Sequence, residues 1–161
     1  MEFVLDTLQT TVSTHDKSLR GRWNQLADRT SALLGESLLV MVARLGIAGF
    51  FFTAGRSKVE GFLTVSPATL ELFRTDYALP FISPGLAAHM AAYAEHLFPL
   101  LLLVGLFSRL SALALLGMTA VIQVFLFPGE WPTHLVLAGL LLIIIARGAG
   151  TLSLDRRFNI R

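Results

Sequence analysis

Residues 110–127 read Leu-Ser-Ala-Leu-Ala-Leu-Leu-Gly-Met-Thr-Ala-Val-Ile-Gln-Val-Phe-Leu-Phe, eighteen positions without a charged side chain. At about 1.5 Å per residue, a helix of that length covers roughly 27 Å, close to the bilayer hydrocarbon core of about 30 Å. Thr119 and Gln123 are its main polar members. The stretch is bounded by Ser108-Arg109, read as a tight turn, and by Pro128-Gly129, which breaks the helix.

Three similar blocks flank it. Upstream, a span over about 84–107 opens at Ser83-Pro84 and should kink at Pro99, which has no N–H to donate. Downstream, Trp131-Pro132 opens a span over about 132–147. The first block, about 37–58, has an apolar run from Ser37 to Gly55 interrupted only by Arg44 and stopped by Arg56 and Lys58. The central span itself runs over about 109–127. The loop before the second span carries Ser66-Pro67, the signature of an N-cap and first helical residue, so a short helix is expected from Pro67 to about Arg74.

Composition agrees with four spans. Of 161 residues, 54% are hydrophobic and only 15% charged, against about 25% charged in an ordinary soluble domain. The length allows one domain. Cysteine is absent, which excludes disulfides, thiolate metal sites, iron–sulfur clusters and cysteine nucleophiles. The net charge of +2 comes from arginine-rich ends and reads as a topology signal rather than a nucleic-acid footprint. The expected fold is all-α: an integral membrane four-helix bundle over residues 37–161, with an amphipathic extension over 1–36. In that extension Leu19, Trp23, Leu26, Thr30 and Leu33 recur at helical spacing, which suits either the lipid interface or packing on the bundle's end. No cleavable signal peptide is expected, because no long apolar run precedes Ser37.

With both termini inside, the cytoplasmic side holds Lys17, Arg20, Arg22, Arg29, Arg109, Arg147, Arg156, Arg157 and Arg161, and the outer side only Arg56, Lys58 and Arg74. Nine against three predicts a multi-pass protein of the cell inner membrane with both termini cytoplasmic.

Three stretches carry a family resemblance. The first span reads Arg44-Leu-Gly-Ile-Ala-Gly-Phe-Phe-Phe-Thr-Ala-Gly55-Arg-Ser-Lys58, the next junction Glu95-His-Leu-Phe-Pro-Leu-Leu-Leu-Leu-Val-Gly105-Leu-Phe-Ser-Arg109, and the tail Gly148-Ala-Gly150-Thr-Leu-Ser-Leu-Asp155. In this order the chain resembles the DoxX family of small four-helix membrane proteins over about residues 38–157. That family takes its name from a relative of a thiosulfate:quinone oxidoreductase subunit, and its members are associated with redox and oxidative-stress functions. Remote animal relatives act as receptor-assembly chaperones or cargo receptors. The resemblance therefore implies the fold more firmly than the function.

An ionisable residue within a span costs at least about 2.5–3.5 kcal/mol on insertion scales, so each needs a partner or an aqueous cavity. Depth counting puts Arg44 roughly 10 Å and Glu95 roughly 18 Å from the inner ends of their spans, and a buried Arg44–Glu95 pair is the first expectation. His89, Gln123 and His134 fall in the outer half, with Lys58 at its edge. Together they predict a polar pocket to which all four helices contribute. A quinone or quinol would fit residues of this kind, with Glu95 and His96 as the proton-handling, catalytic pair and Arg44, Lys58, His89, Gln123, His134 and Arg109 as binding residues. Each also has a structural reading: a register-fixing pair for Arg44 and Glu95, a helix-end cap for Arg109, interfacial snorkelling for Lys58, interhelical bonding for Gln123. A metal ion is disfavoured, because His89 and His96 stand two turns, about 10 Å, apart. Haem, also disfavoured, would need axial ligands from opposing helices, for which His89 with His134 is the one candidate pair; no metal ligands are assigned.

Phosphate loops, Rossmann glycines, nucleophile elbows and zinc-protease motifs are absent, so any electrons would come from a partner subunit. Besides the lipid bilayer, a partner subunit or a second copy of the chain is expected. The competing class is a membrane scaffold whose buried charges only hold the bundle together. A transporter fits less well without an internal repeat.

Overall fold

The structure, a computed structural model, describes residues 19–160. Residues 1–18 of the amphipathic extension, with Lys17, and the terminal Arg161 lie outside them. The chain divides into two compact units, residues 1–36 and 37–161. In the first, helix α1 spans Leu19–Leu34 and none of its residues is buried. Gly35, at φ +23°, ends it.

The second unit is a helical bundle. Helix α2 (Glu36–Arg56) is followed by a hairpin of two short antiparallel strands, β1 (Val59–Glu60) and β2 (Thr64–Val65). Helices α3 (Pro67–Thr75), α4 (Pro84–Val104), α5 (Ser108–Val121), α6 (Trp131–Arg147) and the single turn α7 (Leu154–Arg157) complete it. A π-turn, Ile122–Leu126, extends α5, and a 3-10 turn, Pro128–Glu130, leads into α6. Four segments are long and apolar enough to cross a bilayer: Glu36–Arg56, Pro84–Val104, Ser108–Leu126 and Pro128–Arg147.

One core joins all four. Ile47 of α2, Leu102 of α4, Leu115 of α5 and Leu141 and Ile144 of α6 are fully buried together, while Leu45, Leu97, Leu113 and Leu142 face outward. An apolar exterior of this kind is what lipid solvates. Small residues (Ala43, Ala48 and Ala112) share that core and allow close helix approach. A second cluster packs the hairpin and α3 onto the first half of α4 through Val59, Val65, Phe73, Ala87, Ala88 and Ala92. The short helix α3 starts as its cap predicts: Ser66 Oγ accepts the amide of Thr69 at 3.1 Å, with Pro67 at the first helical position.

The turn between the second and third spans differs from expectation. Ser108 and Arg109 belong to the first turn of α5, and the chain reverses instead at Gly105–Phe107. Gly105 caps α4 in the left-handed region at φ +72°, and Phe107 follows at φ +49°. Only a residue without Cβ enters that conformation without steric cost. A Cβ at Gly105 would also lie 2.5 Å from Arg44 Nη2 and 2.6 Å from Ser153 Cβ.

Candidate functional site

Arg44 is buried in α2 and gives four hydrogen bonds to backbone carbonyls. Nε donates to Leu102 O at 2.8 Å, Nη2 to Leu103 O at 3.0 Å, and Nη1 to both Ala149 O at 2.6 Å and Leu152 O at 3.0 Å. Leu102 and Leu103 lie in the last turn of α4, where carbonyls lack the full set of helical donors; Leu102 O also takes the Gly105 amide at 3.2 Å. The planar five-donor guanidinium fits such a ring of acceptors. The expected Arg44–Glu95 pair therefore does not form. Arg44 extends instead to backbone carbonyls at its own end of the bundle, and Glu95 has another partner.

The tail completes this junction. Asp155, also buried, accepts the amides of Phe107 at 2.7 Å through Oδ1 and of Ser108 at 2.9 Å through Oδ2, while its own amide donates to Gly105 O at 2.8 Å. A carboxylate on the unsatisfied amides of a helix N-terminus is favoured by both hydrogen bonding and the helix dipole. Ser153 Oγ donates to Gly150 O and caps α7, and Gly148 and Gly150 turn the chain at φ +76° and +78°. One cation on the end of α4 and one anion on the start of α5 thus bind the tail into the bundle. This junction is architectural.

A second polar group lies near the opposite end of α2. Lys58 Nζ stands 2.7 Å from Glu95 Oε2, with the lysine side chain 17% exposed and the glutamate 3%. The approach is off the hydrogen-bond axis, so the contact is first a Coulomb pair. Lys58 also donates to Ala54 O at 3.2 Å. Beside Glu95, the buried His96 has Nδ1 2.7 Å from Ala92 O, one turn back on α4. A carbonyl only accepts, so Nδ1 carries the proton. His96 Nε2 is buried without a hydrogen-bond partner among the described residues. Gly55 of α2 is buried against this pair: a Cβ there would lie 2.9 Å from His96 Cε1 and Nδ1 and 3.0 Å from Glu95 Cβ. Phe52 meets the His96 ring edge-on at 5.3 Å. Pro99, four residues after Glu95, has no N–H for the Glu95 carbonyl, which leaves another acceptor without its helical donor.

The remaining predicted residues take other places. His89 is exposed, with Nδ1 2.7 Å from Gly85 O and its ring against Tyr93, although it lies two turns before the buried His96. Gln123, in the π-turn, donates through Nε2 to Pro128 O at 2.8 Å, and its Oε1 is 2.6 Å from His134 Nδ1. That pair joins the ends of the third and fourth spans. Arg109 is exposed, its Nη2 3.5 Å from Ala146 O near the end of α6, the position of a helix-end cap. The eight residues thus form an architectural junction (Arg44), a group of two buried residues and a half-buried lysine (Glu95, His96, Lys58), an interhelical pair (Gln123, His134) and two exposed positions (His89, Arg109). Among the described residues, no three His, Asp or Glu side chains gather as a metal site.

Asp155 and Gly55 carry more of this arrangement than their sequence signals suggested. Both stand in the motifs quoted above, and a buried aspartate after Gly-x-Gly or a glycine opposite Glu95-His96 becomes meaningful only once the helices are docked.

A family model, DoxX, matches residues 39–128, more than half of the chain. The match takes in Arg44, Lys58, Glu95 and His96, and the tail ending at Asp155 lies beyond it. No curated protein and no solved structure matches the chain. The chain belongs to the DoxX family, and it is a membrane protein.

Proposed function

We propose that this DoxX protein is the membrane subunit of a quinone-linked redox system and that Lys58, Glu95 and His96 form its ligand and proton site. One observation carries the reading: an ion pair with its carboxylate buried stands beside a buried imidazole nitrogen that has no partner among the described residues. An ion pair that only set helix register would not need that nitrogen. A buried acceptor left unpaired costs about 1–3 kcal/mol, which a ligand hydroxyl recovers on binding. Lys58 supplies positive charge, Glu95 and His96 can hold a proton, and the apolar lipid-facing surface suits a hydrophobic ring and tail.

The redox change itself belongs to the bound quinone or quinol. Without cysteine the chain has neither thiolate metal sites nor iron–sulfur clusters, so the electrons exchange with a redox centre on a partner subunit. By the excess of basic residues, the Arg44–Asp155 end faces the cytoplasm of the cell inner membrane and the Lys58 end faces outward. Tags on both termini that are reached from outside intact cells contradict that orientation.

The competing scaffold role draws support from the closed Lys58–Glu95 pair, which already neutralises both charges. Purification with native lipids followed by mass spectrometry separates the two. Stoichiometric quinone that is lost in Glu95→Gln supports the redox subunit. Absence of quinone together with absence of quinol-dependent activity in native membranes supports the scaffold.

A further inference from the structure

A quinone presents two hydrogen-bond acceptors, whereas a quinol presents two hydroxyl donors, so the polarity of a site selects between oxidation states. At His96 that polarity is set by the protein. With a proton on Nδ1 directed to Ala92 O at 2.7 Å, the uncharged form of the ring holds a lone pair at Nε2. No donor among the described residues meets that lone pair. Gly55 packs against the Cε1–Nδ1 edge, where a side chain larger than glycine's would come within 2.9 Å of the ring. Glu95, the neighbouring group, is a second acceptor. Lys58 donates to Ala54 O and stands against Glu95 Oε2 as its Coulomb partner. A quinone oxygen brought to Nε2 would face lone pair against lone pair. A hydroxyl there completes a hydrogen bond.

We infer that His96 Nε2 makes this site selective for the reduced, hydroxyl-bearing ligand, the quinol, through a tautomer held by Ala92 O. The inference rests on the quinone-linked reading above, and His96 is its specificity-determining residue.

The test compares binding of decylubiquinol and decylubiquinone to the full-length protein in lipid nanodiscs. The quinol is expected to bind at least about tenfold more tightly, the equivalent of one hydrogen bond. In His96→Phe the preference should fall to within about twofold. Nitrogen NMR of labelled histidine, assigned by substituting the other histidines, supplies a readout that does not depend on that variant folding. The His96 Nε2 resonance should be unprotonated in the free protein and shift on adding quinol, with Nδ1 protonated throughout. Equal binding of the two forms, a preference for quinone, or a proton on Nε2 in the free protein overturns the selectivity and leaves the quinone-linked reading standing. Binding of neither form overturns both.

Discussion

Asp155 Oδ2 accepts the amide of Ser108 at 2.9 Å, so a residue in the last turn of the chain caps the helix that opens the third span. Its other oxygen takes the amide of Phe107 at 2.7 Å, and Arg44 holds the neighbouring carbonyls of α4 from the opposite side. The α4–α5 turn is thus clamped by two buried, opposite charges whose hydrogen bonds go to backbone.

Removing that cap leaves two amides unsatisfied in a buried setting. Asp155→Ala should destabilise the protein by about 2–4 kcal/mol, and Asp155→Asn, which keeps one acceptor, by less. Thermal unfolding in detergent reads the difference. An Asp155→Ala protein as stable as the parent would show that the tail is not held by this carboxylate.

Arg44 and Glu95 share no partner, whereas Lys58 and Glu95 do. Double-mutant cycles should therefore give additive stabilities for Arg44→Met with Glu95→Gln, within about 0.5 kcal/mol. For Lys58→Met with Glu95→Gln, coupling of about 1 kcal/mol or more is expected. Coupling in the first cycle would restore the pairing that spacing alone suggested.

Replacing the whole ion pair separates stability from binding. A buried pair exchanged for apolar residues of similar volume is often neutral or stabilising, while removing one partner strands a charge. Lys58→Met/Glu95→Met should thus be about as stable as the parent and more stable than Glu95→Met alone, yet should not bind quinol. Retained quinol binding in the double variant would take Lys58 and Glu95 out of the site.

Gly55 tests the packing around His96. Gly55→Ala places a Cβ 2.9 Å from the imidazole, and overpacking of this kind costs about 1–3 kcal/mol. The same variant should perturb the His96 ring resonances more than those of His134. Gly46→Ala, where a Cβ meets nothing within 4 Å, is the control and should leave both unchanged.

Hydropathy and capping were legible because they are local. The uncharged run Leu110–Phe127, the Ser66-Pro67 start of α3 and the Pro128-Gly129 break depend on residues near one another in the chain, and each leaves its mark within a few positions. The DoxX-like motifs were legible for the same reason. Spacing also brought Lys58, Glu95, His96, Gln123 and His134 forward as polar residues needing partners inside apolar segments.

The pairings themselves required the tertiary structure. Arg44 bonds to Ala149, 105 positions away, and Asp155 to Phe107, 48 away. His89 and His96 lie two turns apart on α4, yet one is exposed and the other buried, because only the segment around His96 meets Gly55. Composition and periodicity set how many helices the chain forms and how long they are, since those follow from the free energy of placing each segment in lipid. Which buried charge meets which partner depends on helix rotation, depth and the path of the tail, and these are properties of the packed bundle.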